Sequence, residues 1–248
     1  MPTKRRSAPA LAHLREKVAL ITGANRGIGL AIAQALASEG CNLIITARDE
    51  PTLKKTGREL ARFNVRVLPL ICDVRDPVAV KVLLAAVERQ FHGLDILINN
   101  SGIAHPSQNV EQLPFESWLE VIDTNLNGLF LVTQAALPLM KRGSAIVNNL
   151  SIAAKRVFPG SSAYNASKHG ALGFTNTLRE ELRSKGIRVI ALVAGATDTE
   201  IWNTLWPQAP RGKMMSSETV AVAVVNALKL PLESTMEELV ILPTAGTL

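Results

Sequence analysis

The chain has 248 residues, of which 47% are hydrophobic and 19% charged, with a mean hydropathy of +0.18. That is too apolar for a disordered chain and long enough for one large α/β core. The net charge of +6 is concentrated at one end: residues 1–17 hold Lys4, Arg5, Arg6, Arg15 and Lys17 against Glu16, a net +4, leaving +2 for the other 231. A nucleic-acid surface needs a basic face on the folded domain. The sequence therefore predicts a flexible basic tail over 1–16, a single domain over 17–248, and neither a nucleic-acid nor a membrane partner. No run of 18 apolar residues occurs, the N-terminal stretch lacks the apolar region of a secretory leader, and Cys41 and Cys72 make no disulfide framework. A cytoplasmic setting is the expectation.

The first strand is expected at Lys17–Thr22. It runs into Thr22-Gly23-Ala24-Asn25-Arg26-Gly27-Ile28-Gly29, which opens a helix over 28–39 closed by Gly40. Glycines at this spacing let the chain turn sharply and let a pyrophosphate approach the backbone, while the helix start offers free N–H groups. A second strand, Asn42–Thr46, ends in Ala47-Arg48-Asp49. An NAD site places a carboxylate there for the ribose hydroxyls. Arg48, with Arg26 in the glycine loop, instead suits a 2′-phosphate and favours NADP. Asp49 would reverse that preference if the register shifted by one residue.

A helix follows over 52–63, then a strand at Val65–Leu70, a helix over 76–91 opened by Asp76-Pro77, and a strand at Asp95–Ile98. A long helix is expected over 115–140, a strand at Ala145–Leu150, and a helix over 162–185 capped by Gly186. Strand Ile187–Val193, helix 217–230 and strand Leu239–Leu242 complete the chain. The strands are continuous apolar runs, so both faces should be buried in a parallel sheet. The alternation reads as a Rossmann-type, doubly wound α/β fold with right-handed crossovers. Tyr164, the only tyrosine, lies four residues before Lys168, which puts phenol and ammonium on one helix face. The ammonium should pull the phenol pKa down toward neutral and make Tyr164 a general acid or base.

From Lys17 onward the chain resembles the short-chain dehydrogenases/reductases, and its 3-oxoacyl-carrier-protein reductases in particular. The resemblance rests on the glycine loop at 22–29, Asp73 after the third strand, Asn99-Asn100-Ser101-Gly102, Asn125 in Asn125-Leu126-Asn127-Gly128, Ser151 thirteen residues before Tyr164, Tyr164 with Lys168, and the stretch Gly195 to Thr199. It implies about seven parallel strands in the order 3-2-1-4-5-6-7. It implies a tetrad of Asn125, Ser151, Tyr164 and Lys168 and an NADP(H) cofactor. Tyr164 would exchange the substrate proton, Ser151 would bond the substrate oxygen, and Lys168 would bind the nicotinamide ribose. Asn125 would hold a water linking Lys168 to solvent. Besides the glycine loop (Gly23, Asn25, Arg26, Gly27, Ile28, Gly29) and Arg48, the cofactor would meet Asp73, Val74, Asn100, Ser101, Gly102, Gly195, Thr197 and Thr199. Two positions depart from the pattern: Ser101 stands for the usual Ala, and Ala194 for the usual Pro, which should loosen the following loop.

Residues 199–216 form an unusually long connection and read as a lid. Its Ile201, Trp202, Leu205, Trp206, Met214 and Met215 favour an apolar substrate body. Arg142, Lys185, Arg211 and Lys213 could meet an acidic carrier, or could answer helix C-termini. The expected activity is ketone–secondary alcohol interconversion, with a 3-oxoacyl thioester as the best single substrate. A sugar or polyol dehydrogenase and a non-catalytic NADP-binding sensor are the alternatives. His13, His92, His105 and His169 show no ligand spacing, so no metal site is expected. Gly170 and Gly173 inside a helix suit close approach of another backbone, and the resemblance implies a homotetramer or dimer.

Overall fold

The computed structural model describes residues 13–246. The elements alternate along the chain: β1 (Val18–Thr22), α1 (Gly27–Ser38), β2 (Asn42–Ala47), α2 (Glu50–Leu60), β3 (Val67–Ile71), α3 (Pro77–Phe91) and β4 (Leu94–Asn99). The second half holds α4 (Phe115–Ile122), α5 (Gly128–Ala136), β5 (Met140–Asn149), α6 (Ser162–Arg183), β6 (Arg188–Ala194), α7 (Trp202–Leu205), α8 (Ser217–Leu228) and β7 (Glu238–Ile241). All six strand pairings are parallel, in the expected order β3-β2-β1-β4-β5-β6-β7.

Successive side chains of a strand point to opposite faces, and here each face has its own core. Ile21, Ile45 and Ile98 pack with Ile32 and Leu36 of α1 and Val220 and Val224 of α8. Leu20, Ile44 and Leu97 pack on the other side with Leu83 and Val87 of α3, Val132 of α5 and Leu178 of α6. This is why the strands read as unbroken apolar runs. Asp49 and Asp76 cap α2 and α3, each followed by a proline in the first turn. Gly40 and Gly186 take positive φ (+83° and +67°) at the ends of α1 and α6.

The helix expected over 115–140 is not continuous. A π-helical turn over Asp123–Asn127 separates α4 from α5, and a 3-10 turn over Leu137–Leu139 ends the segment. Pro138 has no N–H to continue the ladder, so the chain leaves the helix and enters β5 at Met140, five residues before the expected start. The predicted basic tail lies outside the described residues over 1–12. Its last residues pack on the domain: Leu14 is buried, its carbonyl accepts from Cys41 Sγ, and Glu16 N donates to Gly40 O at 2.9 Å. The packed domain therefore takes in residues assigned to the tail. No described helix is long and apolar enough to cross a membrane.

Candidate active site

The C-terminal ends of the strands open into one cavity of about 1420 Å³, larger than the ~300–1,000 Å³ usual for one small ligand. At one end the glycine loop leaves β1. Gly23 and Gly27 have φ +62° and +54°. A Cβ on Gly29 would lie 2.3 Å from Asn100 Nδ2 and 2.4 Å from Gly23 O, so only glycine fits. No side chain caps α1, which leaves its first N–H groups facing the cavity. Asn25 Nδ2 donates to Thr52 Oγ1, and Ile28 packs partly into the core.

Arg26 and Arg48 are exposed and line this end of the cavity. Asp49 lines this end of the cavity too, with its carboxylate engaged at the start of α2. It caps α2, accepting from Thr52 N at 3.0 Å and from the Thr52 hydroxyl. Those bonds, with Arg26 nearby, hold its pKa below the ordinary carboxylate value. Asp73 is gripped by Arg75, whose Nε donates to it at 3.0 Å, and that grip lowers its pKa. Val74, buried beside it, meets Gly128, where a Cβ would come within 2.6 Å.

A chain of amides carries the floor. Asn100 Nδ2 donates to Thr22 O and Gly23 O, and its Oδ1 accepts from Asn149 Nδ2 at 2.8 Å. The amides of Asn100 and Ser101 both donate to Thr22 Oγ1. Below it, buried Asn99 Nδ2 bonds Thr133 Oγ1 and Asn148 Oδ1, and Asn148 Nδ2 bonds Thr175 Oγ1, tying β4 and β5 to α5 and α6.

The four expected catalytic residues converge. Tyr164 and Lys168 lie on the first turns of α6, and Lys168 Nζ sits 5.6 Å from the Tyr164 ring centre. Lys168 Nζ donates to Asn149 O at 3.0 Å. Ser151, just past β5, hydrogen-bonds the Tyr164 hydroxyl and accepts from Ala153 N. Asn125 is on the π-turn; its amide bonds both backbone groups of Ile103 and Ser167 Oγ. Gly102 separates it from Lys168: a Cβ there would lie 3.3 Å from Asn125 Oδ1 and 3.7 Å from Lys168 Nζ. The inserted π residue is what re-aims Asn125 into the site, a common use of such turns.

The expected fall of the Tyr164 pKa does not occur. Burial raises it, with the Ser151 bond opposing, and burial pulls Lys168 down to about 8. Desolvation of the ammonium itself weakens the charge that was to stabilise a phenolate.

Across the cavity, Ala194 closes β6 and pairs with Ile241, and Gly195 N donates to Ile241 O at 2.8 Å. The start of the loop after Ala194 is thereby hydrogen-bonded to the sheet. Thr197 bridges to Met215, and Thr199 Cγ2 would lie 3.1 Å from a Cβ on Gly27. Met215, expected beside the substrate, is instead buried in the core, and Met214 does not line the cavity either. Arg211 turns inward onto Asp198, Thr199 and Asn203. Arg142 caps the far end of α6 through Ser184 O at 3.1 Å, and Lys185 lies beyond that end, about 30 Å along the helix from Tyr164. Lys213, the last of the four candidate carrier cations, is exposed and does not line the cavity. Among the described residues no group of His, Cys, Asp or Glu could hold a metal. The sequence reading missed Asn149 and the bracing roles of Thr22, Ser167 and Arg211. Asn149 had a visible signal: an amide doublet, Asn148-Asn149, closing an otherwise apolar strand.

Residues 17–210 match the family model for short chain dehydrogenases. A putative ketoacyl reductase of Streptomyces coelicolor is 40% identical over 187 residues, 74% of this chain and 71% of that protein. A 3beta-hydroxysteroid dehydrogenase of Mediterraneibacter gnavus is 37% identical over 75% of this chain and 68% of its own length. The solved alcohol dehydrogenase of the archaeon Thermococcus sibiricus, complexed with 5-hydroxy-NADP, superposes with a TM-score of 0.86 at 32% identity, covering 92% of this chain and 97% of that one.

Proposed function

The chain belongs to the short-chain dehydrogenase family, and we propose that it is an NADPH-dependent reductase of apolar ketones. The observation that carries the reading is the meeting of Tyr164, Ser151 and Lys168 at one end of a cavity whose other end is a glycine cradle flanked by Arg26 and Arg48. The cradle fits a dinucleotide: its glycines leave room for a pyrophosphate, and the uncapped start of α1 faces it. The 5-hydroxy-NADP complex of the archaeal relative supports the same cofactor. NADPH would supply the hydride.

The protein's own part is position and proton. Ser151 holds the substrate oxygen beside the Tyr164 hydroxyl. With its pKa raised, Tyr164 stays protonated at neutral pH and can donate to the oxygen as it becomes an alcohol. Lys168, whose ammonium lies 5.6 Å from the ring centre, would return a proton to it, while Asn125 braces the site through Ile103 and Ser167. Asp73, Val74, Asn100, Ser101, Gly102, Gly195, Thr197 and Thr199 line or brace the nucleotide path between the two ends. A complete tetrad argues against a sensor that only binds nucleotide. Trp202, Leu205 and Trp206 at the substrate end argue against a sugar or polyol.

A 3-oxoacyl thioester is the second reading, favoured by the ketoacyl-reductase relative. Docking of an acidic carrier through Arg142 or Lys185 is set aside, because both lie at the N-terminal ends of the strands, away from the cavity. The test is NADPH oxidation with apolar ketones, an acetoacetyl thioester and polyols, repeated with Arg142→Glu. The reading expects turnover of the ketones and no effect of Arg142→Glu. Turnover of polyols alone would refute it.

A further inference from the structure

Beside Tyr164, the large side chains that line the cavity include Ile103, Ile152, Phe158, Trp202, Leu205 and Trp206. Three of the six are aromatic, in a chain with only 4% aromatic residues. The two tryptophans flank α7, a helix of four residues: Trp202 is its first residue and Trp206 follows its last. A helix that short has no stability of its own, so its place must be set by bonds to the rest of the domain.

Those bonds are present. Trp202 Nε1 donates to Thr197 O at 2.9 Å, which fixes the indole plane. Arg211 Nη1 donates to Asp198 Oδ1 at 2.8 Å and Thr199 O at 2.6 Å, and its Nη2 to Asn203 Oδ1 at 2.7 Å. One guanidinium thereby joins the strand-end segment 198–199 to the middle of α7. The two indoles lie 6.5 Å apart, tilted by 60°, and make a corner rather than a stack. Trp206 keeps 44% of its surface exposed, a large apolar face turned to the cavity.

We propose that Trp202 and Trp206 form a fixed aromatic corner that selects ketones borne on flat ring systems over open-chain ketones of the same carbon number. The proposal deepens the carbonyl-reductase reading and rests on it. An aromatic contact adds about 0.5–1.5 kcal/mol beyond burial, whereas a flexible chain loses conformational freedom against a wall that does not adapt. Trp206 is the specificity residue. Arg211 is a positioning residue that acts through α7.

The test compares kcat/KM for 2-tetralone and 2-decanone with NADPH in the wild type and in Trp206→Ala, Trp206→Phe and Arg211→Ala. The expected wild-type preference for the ring ketone is about tenfold, two aromatic contacts at ~0.7 kcal/mol each. Trp206→Ala should cut the ratio at least about threefold through KM for the ring ketone. Trp206→Phe should restore most of it. Arg211→Ala should lower the ratio in the same way, which loss of stability alone would not do. Equal use of both ketones by the wild type, or a ratio untouched by Trp206→Ala, overturns the proposal while leaving the reductase. Consumption of neither ketone brings down the reductase reading and the proposal with it.

Discussion

Replacing Lys168 by Met should stabilise the folded protein at neutral pH while abolishing its turnover. Lys168 is 6% exposed, its ammonium has one acceptor, Asn149 O, and burial lowers its pKa from 10.5 to about 8. At about 1.4 kcal/mol per pKa unit, keeping that ammonium charged inside the fold costs about 3 kcal/mol at pH 7. Between pH 8 and 10.5 the unfolded chain holds the proton and the folded chain does not, so wild-type stability rises with pH across that window. Met has a similar reach and no charge. It forfeits the bond to Asn149 O, a loss of about 1 kcal/mol. The variant should therefore be about 2 kcal/mol more stable at pH 7. By pH 10 that advantage should shrink by about 2.5 kcal/mol and vanish. Urea unfolding without nucleotide at the two pH values, wild type beside variant, measures both numbers. A variant that is less stable at pH 7, with a deficit that does not change at pH 10, would refute the reasoning.

Other perturbations reach the remaining parts of the site. Gly29→Ala drives a methyl into Asn100 and Gly23 O; the overpacking of about 1–3 kcal/mol should lower Tm by roughly 5–10 °C and abolish NADPH binding, both measurable by a thermal shift with and without nucleotide. Arg48→Asp should move the kcat/KM preference from NADPH toward NADH, and a wild type that prefers NADH would contradict the phosphate reading. Phe115, Leu119 and Phe130 are exposed and apolar, and a Cβ on Gly173 would meet no atom within 4 Å outside its own stretch of α6. We propose that this face joins copies of the chain into a homotetramer; light scattering that gives a 26.7 kDa particle at micromolar concentration would count against it.

The fold was legible because two signals agreed. Unbroken apolar strands required burial on both faces, and the glycine loop between β1 and α1 needed a parallel βαβ unit. Of the four candidate catalytic residues, Tyr164 and Lys168 were legible through their i, i+4 spacing, whereas Ser151 and Asn125 came only from the family resemblance. Harder to read was anything set by backbone interruption or by a bond across the fold. Nothing in the sequence around Asn125 specifies a π-turn: Asp123, Thr124, Asn125 and Asn127 are weak helix formers that would equally suit a cap or a loop, and the insertion shows only in the backbone. Arg211 and Arg142 look alike as surface cations, yet one latches a helix onto the cofactor-side loop and the other caps the far end of α6. Composition could not separate them, because their partners are set by the fold: two backbone carbonyls and the side-chain oxygens of Asp198 and Asn203. Met215 looked like a flexible substrate contact and proved to be core, because its pairing with Thr197 draws the chain inward. The phenol pKa went the opposite way from expectation because i, i+4 spacing states proximity and says nothing about shared burial.

The central claim is that Tyr164 supplies the proton when a ketone accepts hydride in this cavity. The direct measurement is deuterium transfer from 4-deuterated NADPH to a ketone by the wild type and by Tyr164→Phe, with NADPH binding followed in parallel by fluorescence. The account predicts deuterated alcohol from the wild type, a loss of at least about a hundredfold in the variant, and NADPH affinity within a few-fold of the wild type. Deuterium transfer by Tyr164→Phe at a rate near that of the wild type would contradict it.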